Sequence, residues 1–162
     1  MPFTNLKNKH LILALLGIII VITFLFKDLT KTFYQQDEWH GLGLVFSEGI
    51  NSVLSGTSRP IDIFFVKGRL LSNAIFYLFA TIFPFQNSQM AYLAIILHSI
   101  ATFLTFLLIK RLVGNTLISL LGVAFFAVNS VSQGSVTWPV VAISAIGSTI
   151  LILIATLFFL NF

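Results

Sequence analysis

The sequence predicts an all-α integral membrane protein with four transmembrane helices and one large extracytoplasmic loop. Three observations carry this. Of 162 residues, 57% are hydrophobic and only 9% are charged, against about 25% charged in a soluble domain. Mean hydropathy is +1.02, so too little polar surface exists to face water all round. The charges are also segregated. All five acids, from Asp28 to Asp62, fall between the first apolar run and the second, while Lys7, Lys9 and Lys110-Arg111 flank apolar runs.

The first span is expected at about residues 10–29. Leu11 to Phe26 is an uninterrupted apolar run preceded by two lysines. A secretory signal looks similar, but Lys27-Asp28-Leu29-Thr30-Lys31 follows with no small-residue cleavage site. The reading is a retained span with a cytoplasmic N-terminus, in the plasma (cytoplasmic) membrane. The outer loop covers residues 30–89. Within it Trp39, Leu42, Phe46, Ile50, Val53 and Leu54 recur at helical spacing, which predicts an amphipathic helix on the membrane surface or against the bundle. Ser55 to Pro60 ends it. Leu70 to Phe83 is apolar apart from Ser72 and Asn73 and stops at Pro84. Its fourteen residues reach about 21 Å as a helix, short of a hydrocarbon core of ~30 Å. Counting it as a span would also place Lys110-Arg111 outside, against the positive-inside tendency. It is therefore expected as a second interfacial or re-entrant helix. Further spans are expected at 90–109, 117–131 and 140–160. Val113-Gly114-Asn115 forms the inner turn, and residues 129–139 form an outer connector containing Gln133 and Trp138. Both termini then lie in the cytoplasm.

The net charge of +4 does not indicate nucleic acid, because the bases sit where topological anchors sit. Cysteine is absent, which excludes thiolate metal sites. No Gly-rich phosphate loop or zinc spacing occurs. Acid–base groups concentrate in Phe33-Tyr34-Gln35-Gln36-Asp37-Glu38-Trp39-His40. A helix starting near Gln35 or Gln36 puts Asp37 and Glu38 in its first turn, where the dipole favours the ionised acids. They are read as candidate catalytic groups, against the simpler reading as capping acids. His40 lies three residues after Asp37, on the same helical face. It could orient the acid or complete a divalent metal site, although such an ion asks for more oxygen ligands than are visible. Trp39, Tyr34 and Trp138 could stack on a sugar ring or serve as interfacial belt aromatics. Arg59, Lys67 and Arg69 could pair with a lipid phosphate or act as snorkelling anchors. His98 is mid-span, in Leu97-His98-Ser99, where a polar group must face the protein interior. It could meet a phosphate, and interhelical hydrogen bonding beside Ser99 and Thr102 is the favoured reading.

The order of these features carries a resemblance. A first span leads to an outer loop opening with Asp37-Glu38. Arg59-Pro60 and Gly68-Arg69-Leu70-Leu71-Ser72-Asn73 follow, then a Leu97-His98 span closed by Lys110-Arg111. Leu120-Leu121-Gly122-Val123-Ala124-Phe125-Phe126-Ala127 precedes a connector ending in Trp138. This order resembles the N-terminal part of the C-type-fold polytopic membrane glycosyltransferases, the mannosyltransferase-like enzymes dependent on polyprenyl- or dolichyl-phosphate sugars. The resemblance implies sugar transfer from a lipid-linked donor at the outer face. Asp37 would then act as general base or position the nucleophile, with Glu38 in support. The leaving phosphate needs cationic stabilisation, for which Arg59 and Arg69 are candidates by charge alone. Trp39, His40 and His98 are candidate substrate contacts on their own chemistry. Two departures stand out. Asn129-Ser130 and Gly134 replace a His-Pro and a Glu common in that family. Those enzymes also run to several hundred residues and about a dozen spans. The chain is accordingly expected to be a fragment, one half of a split enzyme or a degenerate relative, with membrane lipids and the helices of a second chain as partners. The rival expectation is a small non-enzymatic membrane protein, an assembly partner or lipid-headgroup binder. A transporter fits less well, since the spans carry few polar groups beyond His98.

Overall fold

A computed structural model describes residues 6–54, 70–129, 136–138 and 141–160. The side chains of residues 6–10, Gln36, Asp37 and Leu54 lie outside that description. The described residues are helical and contain no strand. Three segments are long and apolar enough to cross a membrane: Leu11–Lys31, Asn87–Val113 and Ala142–Phe159. The first comprises most of α1 (Leu6–Phe26) and a tight 3-10 turn, Lys27–Lys31. The second is α5 (Asn87–Val113), 27 residues and about 40 Å long. The third joins a π-helical turn, Ala142–Ile146, to α7 (Gly147–Phe159).

The expected third span, 117–131, corresponds to α6 (Thr116–Val128). Its 13 residues cover about 20 Å, short of the hydrocarbon core on their own. Three helices therefore meet the length requirement where four were expected. α4 (Leu70–Ile82) is likewise a 13-residue apolar helix.

α5 is the axis of the molecule. Its buried positions, including Met90, Ala91, Ala94, Ile95, His98, Ala101 and Thr102, recur every three or four residues and spread over two flanks. On one flank Ala91, Ala94 and Ala101 pack with Ile22 and Phe26 of α1, Ala127 of α6, and Ala142 and Ile146 of the π turn. Small side chains there let backbones approach closely. The α5–α6 approach is close enough that a Cβ on Gly122 would come within 3.0 Å of Ile109 Cδ1. On the other flank Met90, with Leu93 and Leu97, packs with Tyr34, Leu42 and Val45 and with Phe76 and Ala80 of α4.

The turn between α5 and α6 is built by two residues. Gly114 adopts a left-handed φ of 74°, which glycine takes without a Cβ penalty. Asn115 then caps α6, its Oδ1 accepting from Leu117 N at 2.9 Å and Ile118 N at 3.3 Å. Nearby, Arg111 Nη2 donates to Leu160 O at 3.1 Å, so α5 and α7 finish at the same end of the bundle.

The amphipathic helix expected after Trp39 is present but differs in two ways. It breaks in two, α2 (Gln36–Glu48) and α3 (Asn51–Leu54), because Gly49 turns to a φ of 57° and its N–H closes on Val45 O at 3.0 Å. Its buried face is Glu38, Gly41, Leu42 and Val45, whereas Trp39, Phe46 and Ile50 are exposed. The apolar spacing was legible, but the choice between two adjacent flanks belonged to packing. In the turn after α4, Phe85 holds a φ of 61°, which is rare for a bulky side chain. Its ring stacks on Phe46 at 5.3 Å and meets Trp39 at 6.5 Å.

Candidate functional site

The polar residues converge at the end of the bundle opposite Arg111 and Leu160. α1 runs into its 3-10 turn, and Thr32 is already extended, with φ −80° and ψ 157°. Gln35 is the cap of α2, with φ −90° and ψ 175°. This places Gln36, Asp37 and Glu38 at the first three helical positions. Glu38 reaches back so that its Oε2 accepts from Gln35 N at 2.7 Å, closing the capping box that starts the helix. Glu38 is 0% exposed. Burying a carboxylate is costly unless it is bonded, and here a backbone N–H otherwise left over at the helix start meets it.

The neighbours are tied to the same strap. Gln35 Nε2 donates to Thr137 O at 3.4 Å. Asn87, the first residue of α5, donates through Nδ2 to Thr32 O at 3.0 Å and to Thr32 Oγ1 at 3.1 Å. Tyr34 is buried beneath Trp39, the two rings meeting edge-on at 5.7 Å. Burial, and secondarily the negative charge of Glu38, push the Tyr34 phenol above its usual range. Two buried polar atoms near this strap find no hydrogen-bond partner among the described residues: the acceptor Asn87 Oδ1 and the donor Trp138 Nε1. Such orphans call for an explanation, and a hydroxyl-bearing molecule, water included, offers both a donor and an acceptor.

The residues singled out from the sequence separate into groups. Asp37 and Glu38 both fall in the first turn of α2, Glu38 inward, with the Asp37 side chain outside the described part. Trp39 and His40 follow on the exposed side of that helix. Arg59 and Arg69, with Lys67, lie outside the described residues. His98 is not part of this group. It sits eleven residues along α5 from Asn87, about 16 Å at helical rise. It is 1% exposed, and its Nε2 lies 3.1 Å from Ala127 O. A carbonyl oxygen only accepts, so Nε2 carries the hydrogen. Ala127 is next to the last residue of α6, where carbonyls lack helical partners. The His98 ring stands edge-on to Phe26 and stacks against Phe126, each at 5.7 Å. It thereby joins α1, α5 and α6. No three His, Asp or Glu side chains among the described residues converge to hold a metal ion.

Sequence reasoning passed over Thr32 and Asn87, and read Gln35 only as a possible helix start. The Gln35–Glu38 spacing was a readable signal, since a polar cap with Glu three residues on is the pattern of a capping box. Asn87 gave no such signal, because its partner is 55 residues away. No family profile, curated protein or solved structure matches the chain.

Proposed function

We propose that the chain supplies the base-bearing part of a membrane glycosyltransferase that uses a polyprenyl-phosphate sugar at the extracytoplasmic face. The observation that carries this reading is the capping box at the start of α2. It commits Glu38 to the backbone and holds Asp37 at the second helical position, where the helix dipole favours an ionised acid. Asp37 takes the acceptor hydroxyl's proton as that oxygen bonds the anomeric carbon. The polyprenyl phosphate leaves with the electron pair of the broken C–O bond. Glu38 acts as a positioning residue. The unmatched Asn87 Oδ1 and Trp138 Nε1 give the same end of the bundle a demand for hydroxyl groups.

Topology supports the reading. The Arg111–Leu160 bond puts the ends of α5 and α7 together, so the chain returns between them, with α6 supplying the start of a fourth crossing. The Thr32–Asn87 bonds hold the end of α1 at the opposite end. Lys110 and Arg111 then share one end with the start of α1, which carries Lys7 and Lys9. By the positive-inside tendency that end is cytoplasmic, and the plasma membrane is the site proposed. A tag within residues 55–60 is expected to be reachable from outside intact cells. The test of function is sugar transfer from polyprenyl-phosphate sugar in membranes carrying the protein or Asp37→Asn. A loss of at least tenfold is expected, and equal transfer removes Asp37 from catalysis.

A second reading, a non-enzymatic assembly partner, is favoured by one observation. Only 11% of the first span's apolar window is buried within this chain, leaving most of α1 for lipid or other helices. Co-purification of a second membrane protein, together with unchanged transfer in Asp37→Asn, would select it.

A further inference from the structure

Phe85 occupies a backbone position that its side chain makes costly. The Gln86 N–H closes on Phe83 O at 3.1 Å, so Pro84 and Phe85 are the two central residues of the turn between α4 and α5. Proline fixes φ at the first of them. The positive φ of 61° at the second is the place that glycine ordinarily fills in such a turn. A phenylalanine there carries strain that glycine would not. Its ring lands on α2, stacked on Phe46 at 5.3 Å and 6.5 Å from Trp39. Tyr34 backs Trp39 from the other side, edge-on at 5.7 Å. Stacking covers these rings only in part: Trp39, Phe46 and Phe85 each remain at least half exposed. We infer that the three rings form an anchor seated in the headgroup layer of the bilayer, and that it holds the start of α2 at that height.

Three observations single out that layer. The first is height. The 27 residues of α5 rise about 40 Å, and a bilayer with both headgroup layers measures about 40–45 Å. The last turn of α5 carries Lys110 and Arg111, charges that belong in the headgroup layer at their own face. Asn87, its first residue, then lies in the layer at the opposite face. Phe85 stands two residues before Asn87, and its ring contacts bring Phe46 and Trp39 to the same level.

The second is chemistry. Phe46 and Phe85 offer only hydrocarbon, and Trp39 adds one N–H. An apolar ring with a polar tip favours the boundary between hydrocarbon and water. A sugar would find a single donor among three rings, where a binding site supplies several converging polar groups.

The third is area. At roughly half exposure, three aromatic side chains offer about 350 Å² between them. A stable protein partner buries about 800 Å² on each side, so the rings are too small a patch to seat one. The headgroup layer covers what stacking leaves bare, at no cost of assembly.

The consequence concerns α2. Trp39 lies within the first two turns of that helix, so the anchor fixes where its first turn, with Asp37 and Glu38, stands above the hydrocarbon. The anchor stands whether or not the chain acts on sugars.

The test uses the full chain reconstituted in phosphatidylcholine vesicles. The protein has two tryptophans, and Trp138→Phe leaves Trp39 as the single fluorophore. Far-ultraviolet circular dichroism checks that this variant is helical. If it is not, subtracting the signal of Trp39→Phe from that of the unmodified protein isolates the same residue. Emission is quenched by phosphatidylcholine with a nitroxide on the headgroup, by phosphatidylcholine with a nitroxide near the end of the acyl chain, and by aqueous iodide. The headgroup nitroxide is expected to quench several-fold more than the chain-end nitroxide. Iodide is expected to quench several-fold less than it quenches tryptophan amide in solution. Phe85→Gly, which suits the turn and removes the central ring, should raise iodide quenching and lower headgroup quenching, each by a factor of two or so. Iodide quenching equal to that of the free amide overturns the proposal, since the rings then face water. Stronger quenching from the chain end overturns it by placing Trp39 in the hydrocarbon. Protection from all three quenchers overturns it by showing that protein covers the rings. Unchanged quenching in Phe85→Gly overturns it as well.

Discussion

Glu38 and His98 are both buried polar side chains, 0% and 1% exposed, in a chain that is otherwise nearly all hydrocarbon. Each is spent on the end of a helix. Glu38 accepts from the Gln35 N–H at the start of α2; His98 donates to the Ala127 carbonyl near the end of α6. They differ in location and charge. Glu38 sits on the strap at one end of the bundle with Tyr34, Asn87 and Gln35 around it. His98 lies deep in the bundle between two phenylalanine rings. The comparison teaches that a buried polar group in an apolar chain need not mark a substrate site. The backbone's own unpaired groups are its first customers, since an orphan N–H or C=O in a dry setting costs about 1–3 kcal/mol.

The largest effect is expected from Glu38→Ala, which removes a charge-assisted bond and leaves the Gln35 N–H unpaired. It should destabilise the protein by about 2–3 kcal/mol, measured by SDS-induced unfolding in mixed micelles. Glu38→Gln, whose amide oxygen still accepts, should recover more than half. If Gln is no better than Ala, the carboxylate's charge matters more than its capping bond.

His98→Ala comes next, at about 1–2 kcal/mol. It orphans the Ala127 carbonyl and opens a cavity between Phe26 and Phe126, although single interhelical hydrogen bonds in membranes average only about 0.6 kcal/mol. Sugar transfer should fall no more than the folded fraction does. A selective loss of transfer with stability intact would return His98 to the substrate contacts.

The smallest effect is a titration. The folded Tyr34 phenol is held above its usual range by burial and then by Glu38. Raising the pKa of an acid favours its neutral form in the folded state. Its contribution to stability is therefore full below about pH 10 and is lost as pH rises through the raised value. In ultraviolet titrations, Tyr34→Phe should remove a phenol that ionises above the usual tyrosine range. Glu38→Gln should bring that phenol part of the way back, because burial is the larger cause.

Much of the architecture was legible in local sequence. The apolar runs at Leu11–Phe26, Met90–Ile109 and Val140–Leu160 mark helices, and the structure's three long apolar helices overlap all of them. Pro84 follows α4 as a stop, and Gly114-Asn115 punctuates α5 and α6. These signals work because a helix of sufficient apolar length, a missing N–H or a positive φ are properties of a few adjacent residues. The first turn of α2 was legible for the same reason, with Gln35, Asp37 and Glu38 fixing where it begins.

Sequence alone determined that the chain forms apolar helices, where most of them start and stop, and that its acids gather after the first. Only tertiary structure decided which flank of α2 turns inward. Glu38 and Trp39 are adjacent, and helical spacing suits either flank; contact with Tyr34 and α4 buries the Glu38–Leu42–Val45 side. The Asn87–Thr32 tie and the carbonyl that His98 meets likewise depend on chain segments brought together from 55 and 29 residues apart, respectively. Periodicity reports one helix's geometry, and the choice of face is made by what that helix packs against.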